Sequence, residues 1–191
     1  MISHKYKCIF IHIPKTGGMA VESFLTERDP DANIRVGNRY HNNWHKYKKY
    51  FKKEWDEYFK FSVVRNPWAR IVSKYLMYKH GNHVHRERFF QRNDFKDSLD
   101  HWRIRCDKPQ HSFICKGDDI VVDHVCRFEN LAEDFKKVQT QLGIDAQDLP
   151  VVNKSRSPYD YKDFYNEGVK AKIGELFSRD IDIFNYKFED C

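Results

Sequence analysis

Pro14-Lys15-Thr16-Gly17-Gly18 stands between an apolar run, Cys8 to Ile13, and a segment in which Val21, Phe24 and Leu25 recur at helical spacing. Two glycines at such a junction let main-chain N–H groups converge on an anion at the start of a helix, and Lys15 adds a mobile point charge. The chemistry this suits is the binding of a phosphate-like group. The nucleoside triphosphate loop, GxxxxGK[ST], places its lysine after the second glycine. Here the lysine precedes the pair, so that motif is absent and an ordinary kinase or ATPase is disfavoured. Taken alone, the pentapeptide reads first as a plain strand-to-helix turn.

A second cluster is Val63-Val64-Arg65-Asn66-Pro67-Trp68-Ala69-Arg70-Ile71-Val72-Ser73-Lys74-Tyr75. Arg65 leaves the end of an apolar strand and Ser73 follows about two helical turns on. The two reach one phosphate only if the strand end folds back beside the helix; the alternative is an arginine held by a structural carboxylate. Transfer to a hydroxyl also needs a base. Histidine titrates in the right range for that, and ten histidines compete for the role. His80, His83 and His85 form a short tract with no carboxylate pattern or HExxH spacing around it, so no metal site is expected. Lys46, Lys48, Lys49, Lys52 and Lys53 read as a solvated helix face or as a surface for an anionic acceptor.

The elements that must carry these groups follow from local pattern. Cys8 to Ile13 reads as a buried strand stopped by Pro14, and Phe59 to Val64 as a second one feeding a helix with Pro67 in its first turn. Residues from about Asn42 to Tyr58 read as one helix, after a polar loop over 28–40. Ile120-Val121-Val122 reads as a short strand after a turn at Gly117-Asp118. Two further helices carry core stripes, Leu131, Phe135, Val138 and Leu142 in one and Val169, Ile173, Leu176 and Phe177 in the other. Strands alternating with helices predict a single α/β domain over residues 1–191, with a central, mainly parallel sheet flanked by helices.

A chain of 191 residues with 15 Phe and 11 Tyr can build one core on large rings. Its net charge of +6 favours anionic partners: nucleotides, acidic glycans or nucleic acid. Five cysteines with no CxxC pair argue against a disulfide framework or a zinc knuckle. No apolar stretch near the N-terminus suggests a signal peptide or membrane anchor, and the expected location is cytoplasmic.

Together the two blocks resemble those of the carbohydrate sulfotransferases that use 3′-phosphoadenosine 5′-phosphosulfate (PAPS), in particular short relatives of the Golgi glycosaminoglycan enzymes. The resemblance continues through Val125-Cys126-Arg127-Phe128-Glu129-Asn130-Leu131, Asn153-Lys154-Ser155 and Ile183-Phe184-Asn185-Tyr186-Lys187-Phe188. It implies a P-loop-like sulfotransferase fold. It also implies that Lys15, Thr16, Gly17, Gly18 and Met19 grip the 5′-phosphosulfate, and that Arg65 and Ser73 grip the 3′-phosphate. The family places its base between the blocks, which points to His41, with His45 in reserve. Lys154, Ser155 and Arg156 fall where relatives bring a loop to the nucleotide. The chain departs from the pattern at Cys126, where glycine is common, and at Met19, where a small hydroxylic residue is usual.

The expected function is transfer of a sulfuryl group from PAPS to an acceptor hydroxyl, carbohydrate being the favoured class, without a metal and without nucleic acid as partner. His41 takes the hydroxyl proton and Lys15 offsets charge on the departing phosphate. Two alternatives predict different behaviour. A kinase-like phosphotransferase requires Mg²⁺-dependent ATP turnover, and a non-catalytic module for anionic glycans or nucleic acid binds through the lysine-rich helix with no need of Lys15.

Overall fold

The computed structural model describes residues 1–37, 41–81, 88–101, 104, 107–150, 152 and 159–190. In chain order the elements are β1 (Ile2–Ser3), β2 (Cys8–Ile11), α1 (Gly18–Arg28), α2 (Trp44–Tyr50), α3 (Lys52–Glu57), β3 (Phe59–Val64), α4 (Pro67–His80), α5 (Arg88–Arg92) and α6 (Phe95–Ser98). There follow α7 (His111–Ile114), β4 (Cys115–Lys116), β5 (Asp119–Ile120), β6 (His124–Arg127), α8 (Leu131–Gln141), α9 (Glu167–Leu176) and α10 (Ser178–Phe184). They gather into two compact units, one of Met1–Val64 with Gln110–Ser155 and one of Arg65–Pro109 with Arg156–Cys191.

The first unit is built on a four-stranded sheet in the order β1-β2-β3-β6. β2, β3 and β6 run parallel, while the short β1 pairs antiparallel with β2. All four residues of β2 are buried, which is why it reads as a continuous apolar run and not as an alternation. One face of the sheet presents Cys8, Phe10, Phe61, Val63 and Cys126, and packs against Val21, Phe24 and Leu25 of α1 and Phe135 and Val138 of α8. Phe10 and Phe61, paired across the β2–β3 ladder, stack with ring centroids 5.0 Å apart. Ser62 is buried inside β3, and its hydroxyl is satisfied by donating to the Ile11 carbonyl at 2.7 Å.

The second unit is helical. Trp68, Ile71, Val72 and Tyr75 of α4 form its core with Phe90, Phe95, Val169, Ile173 and Phe177. Pro67 occupies the first turn of α4, and Asn66 caps it by accepting from the Trp68 N–H at 3.0 Å.

The mixed α/β class, with its mainly parallel sheet and flanking helices, is the one expected. Four local expectations need correction. The first strand stops at Ile11, two residues short of Ile13. The single helix expected over 42–58 is two helices: Phe51, at φ −131° and ψ 58°, ends α2 and begins α3 without any glycine or proline to mark the break. The strand expected at 120–122 is Asp119–Ile120 instead, because its partner β4 is only two residues long. Leu176 does not join the core stripe of α9 and is 46% exposed at the last residue of the helix.

Candidate functional site

The loop between β2 and α1 reverses the chain by putting two residues, Lys15 at φ 70° and Gly17 at φ 79°, in the left-handed region. Glycine adopts that conformation without strain; a lysine there costs on the order of 1–3 kcal/mol and persists only where its surroundings impose it. Thr16, between them, is fully buried and donates its hydroxyl to the Ile13 carbonyl at 2.8 Å, which ties the loop across its base. Gly17 then serves as N-cap of α1 and has no side chain to offer, and the first turn contains no acidic residue. The N–H groups that open a helix have no carbonyl ahead of them to bond, and the helix dipole is positive there. An anion seated at this end is therefore favoured, with Lys15 half-buried beside it. Met19, the second residue of α1, is 52% exposed.

Both glycines are demanded by what lies against them. A Cβ on Gly17 would fall 2.9 Å from Cδ2 of Phe128, and one on Gly18 would fall 2.5 Å from Nε2 of His12. His12 itself is buried, at 5% exposure, so its ring is part of the floor of the loop. Its Nδ1 lies 2.9 Å from Oε1 of the buried Glu22, one turn along α1 from Gly18. The contact falls outside the geometry of a directed hydrogen bond, and it is an ion pair only with the ring protonated.

His41 joins the same cluster. Its ring stands edge-on to that of His12 with centroids 4.6 Å apart, and its Nδ1 is 3.2 Å from the His12 carbonyl oxygen. His41 is exposed as a residue, yet protein atoms crowd its ring. That loss of hydration, followed by the nearby His12, pushes its pKa below the ordinary histidine value. His45 is exposed and stacks on Trp44, with centroids 3.6 Å apart. The structure thus brings Lys15, Thr16, Gly17, Gly18, Met19 and His41 to one end of the sheet, where β2 gives way to α1.

Arg65 and Ser73 belong to the second unit. Arg65 is half-buried and directly follows β3, while Ser73 lies in the second turn of α4, also half-buried. Its neighbours Arg70 and Lys74 are both engaged by Asp107, Arg70 through Nη2 at 2.7 Å from Oδ2 and Lys74 through Oδ1. Lys154, Ser155 and Arg156 lie outside the described residues, as do His83 and His85. No group of three or more His, Cys, Asp or Glu side chains suited to a metal occurs among the described residues. Among the same residues no helix is long and apolar enough to cross a membrane.

Sequence reasoning passed over His12 and Glu22. The available signals were a histidine at the end of an otherwise apolar strand, and a carboxylate placed among Val21, Phe24 and Leu25 on the buried face of α1.

A glycine-capped helix after a parallel strand, with a lysine in the loop, is an α/β arrangement suited to an anion such as phosphate. The class is settled by comparison with known proteins: the sulfotransferase family model matches residues 1–187. The chain belongs to the sulfotransferase family. It is 36% identical over 97 residues to an uncharacterized protein of Archaeoglobus fulgidus, a match spanning 49% of this chain and 74% of that one. Its fold is similar to that of the mouse sulfotransferase SULT7A1, whose crystal structure was solved in complex with PAP. That match has a TM-score of 0.61 and 14% identity, covering 98% of this chain and 91% of the other.

Proposed function

We propose that this sulfotransferase moves the sulfuryl group of PAPS to a carbohydrate hydroxyl, with His41 as general base and residues 1–191 acting as one functional domain. The observation that carries the reading is the N-terminus of α1, where the Gly17 cap offers no side chain and the first turn holds no acid, next to a histidine whose pKa its surroundings lower. Main-chain N–H groups from Thr16 to Met19 and the Lys15 ammonium receive the 5′-phosphosulfate, and Arg65 and Ser73 receive the 3′-phosphate.

In the reaction the acceptor oxygen attacks sulfur and the bond from sulfur to the bridging phosphate oxygen breaks. The hydroxyl proton passes to Nε2 of His41, and the departing phosphate of adenosine 3′,5′-bisphosphate gathers the charge that Lys15 and the helix end offset. Every atom is then accounted for in the sulfated acceptor, the bisphosphate and one proton. A low pKa on His41 keeps the imidazole unprotonated and ready to accept that proton near neutral pH.

Isothermal calorimetry tests the donor half of the reading. Adenosine 3′,5′-bisphosphate should bind far more tightly than adenosine 5′-monophosphate, and Arg65→Ala should erase most of the difference. Equal affinities for the two nucleotides would leave Arg65 and Ser73 with no phosphate to hold.

A further inference from the structure

We infer that Glu22 is a positioning residue for the transfer reaction: it clamps the His12 ring, and the His12 main-chain carbonyl in turn holds His41 with Nδ1 protonated and Nε2 bare. This rests on the reading of His41 as the base.

The first link is the His12–His41 contact. A carbonyl oxygen only accepts, so the His41 Nδ1 that lies 3.2 Å from it must carry the hydrogen. In a neutral imidazole the lone pair then belongs to Nε2, the nitrogen that must receive a proton. The tautomer is thus set by an acceptor that cannot change its role.

The second link is what keeps that carbonyl in place. His12 follows the last residue of β2 and so lies just beyond the β2–β3 register, which ends at Ile11 and Ser62. Its ring is immobilised by Gly18, which leaves no room for a Cβ, and by the Glu22 carboxylate at 2.9 Å. Phe10 adds a stacked contact at 5.7 Å between centroids. Of these three, only Glu22 sets a polar atom against the ring. Burial excludes His12 from meeting the acceptor itself, since 5% of its surface is exposed.

Three charged or titratable groups act on His41: His12 beyond β2, Glu22 on α1 and the α-amino group of Met1, which donates to the Phe10 carbonyl at 2.8 Å. Glu22 is the one carboxylate among them, and its charge raises the His41 pKa against the lowering by burial and by His12. Removing that charge should therefore move the rising limb of the rate profile to lower pH.

The test is Glu22→Gln, which keeps the volume and deletes the charge, read in two ways. Long-range ¹H–¹⁵N correlation spectra of histidine-labelled protein report the tautomer directly, with His41 assigned by its loss in His41→Asn. The wild type should show His41 protonated at Nδ1, and Glu22→Gln should show a mixture of tautomers. Turnover should drop by about tenfold while KM for PAPS stays within about twofold, as expected for loss of orientation and not of binding. If Glu22→Gln does not fold, Glu22→Asp takes its place with the same readouts, one methylene of reach being lost in that case. A His41 that keeps its Nδ1 proton in the variant, with wild-type kcat, overturns the inference. So does a loss confined to thermal stability and PAP affinity, which a purely structural carboxylate would give. Failure of the base reading is separable: His41→Ala with full kcat would remove it whatever the spectra show.

Discussion

A Cβ placed on Gly18 would sit 2.5 Å from Nε2 and 2.8 Å from Cγ of His12, so the second glycine of the loop is required by the histidine under it. Gly18 is a helical residue with an ordinary φ, which means its role is close approach and not backbone freedom. Gly18→Ala should cost about 1–3 kcal/mol through forced displacement of a buried ring. A denaturant midpoint equal to that of the wild type would show that His12 moves aside freely.

Lys15 offers a separation of stability from function. At φ 70° its backbone is strained as lysine and stays strained as alanine, whereas glycine relieves it. Lys15→Gly should be more stable than Lys15→Ala by on the order of 1 kcal/mol. Both should lose turnover to a similar extent, and by more than they lose bisphosphate affinity, because the charge is needed most as the phosphate departs. Wild-type turnover in either variant would remove the ammonium from the mechanism.

The pH dependence has a fixed sign. A base works in its neutral form, so kcat/KM rises with pH through the pKa of free-enzyme His41. Desolvation, then His12, pushes that pKa below its ordinary value, so the midpoint of the rising limb should lie under pH 6.5, the unperturbed histidine value. A midpoint above it would mean that another group governs the limb.

Asn66 is fully buried and does two jobs at once. Its oxygen accepts from the Trp68 N–H, while its Nδ2 donates to the Lys187 and Asp190 carbonyls at 2.9 Å each, fastening α4 to the C-terminal segment. Asn66→Ala strands these partners and should cost about 1–3 kcal/mol. Thermal unfolding unchanged by the substitution would contradict the role.

The parts of this molecule that were readable in its sequence are those specified locally. Gly17-Gly18 after an apolar run and Pro67 after Phe59–Val64 each mark a strand feeding a helix, and both junctions are where the residues put them. Phe24 and Phe135 declared their core faces by spacing alone. What was missed depends on partners far along the chain. β6 carries a histidine and an arginine in four residues, and it is a strand because it pairs with β3. Asp107 has no local signature, and its meaning comes from Arg70 and Lys74 some thirty residues earlier. His12 hid inside a strand-like run, and Glu22 looked like an ordinary helical carboxylate until the loop folded one over the other. The break at Phe51 carries no residue signal at all.

The central claim is sulfuryl transfer with His41 as base, and it is met most directly by following ³⁵S from labelled PAPS into pooled carbohydrate hydroxyl acceptors, wild type beside His41→Ala. Labelled, acid-labile sulfate ester should accumulate with the wild type in step with adenosine 3′,5′-bisphosphate. The His41→Ala rate should be lower by about 10²-fold or more, with bisphosphate affinity retained. Label that never leaves PAPS with any of these acceptors, or a His41→Ala variant that transfers it at the wild-type rate, would contradict the account.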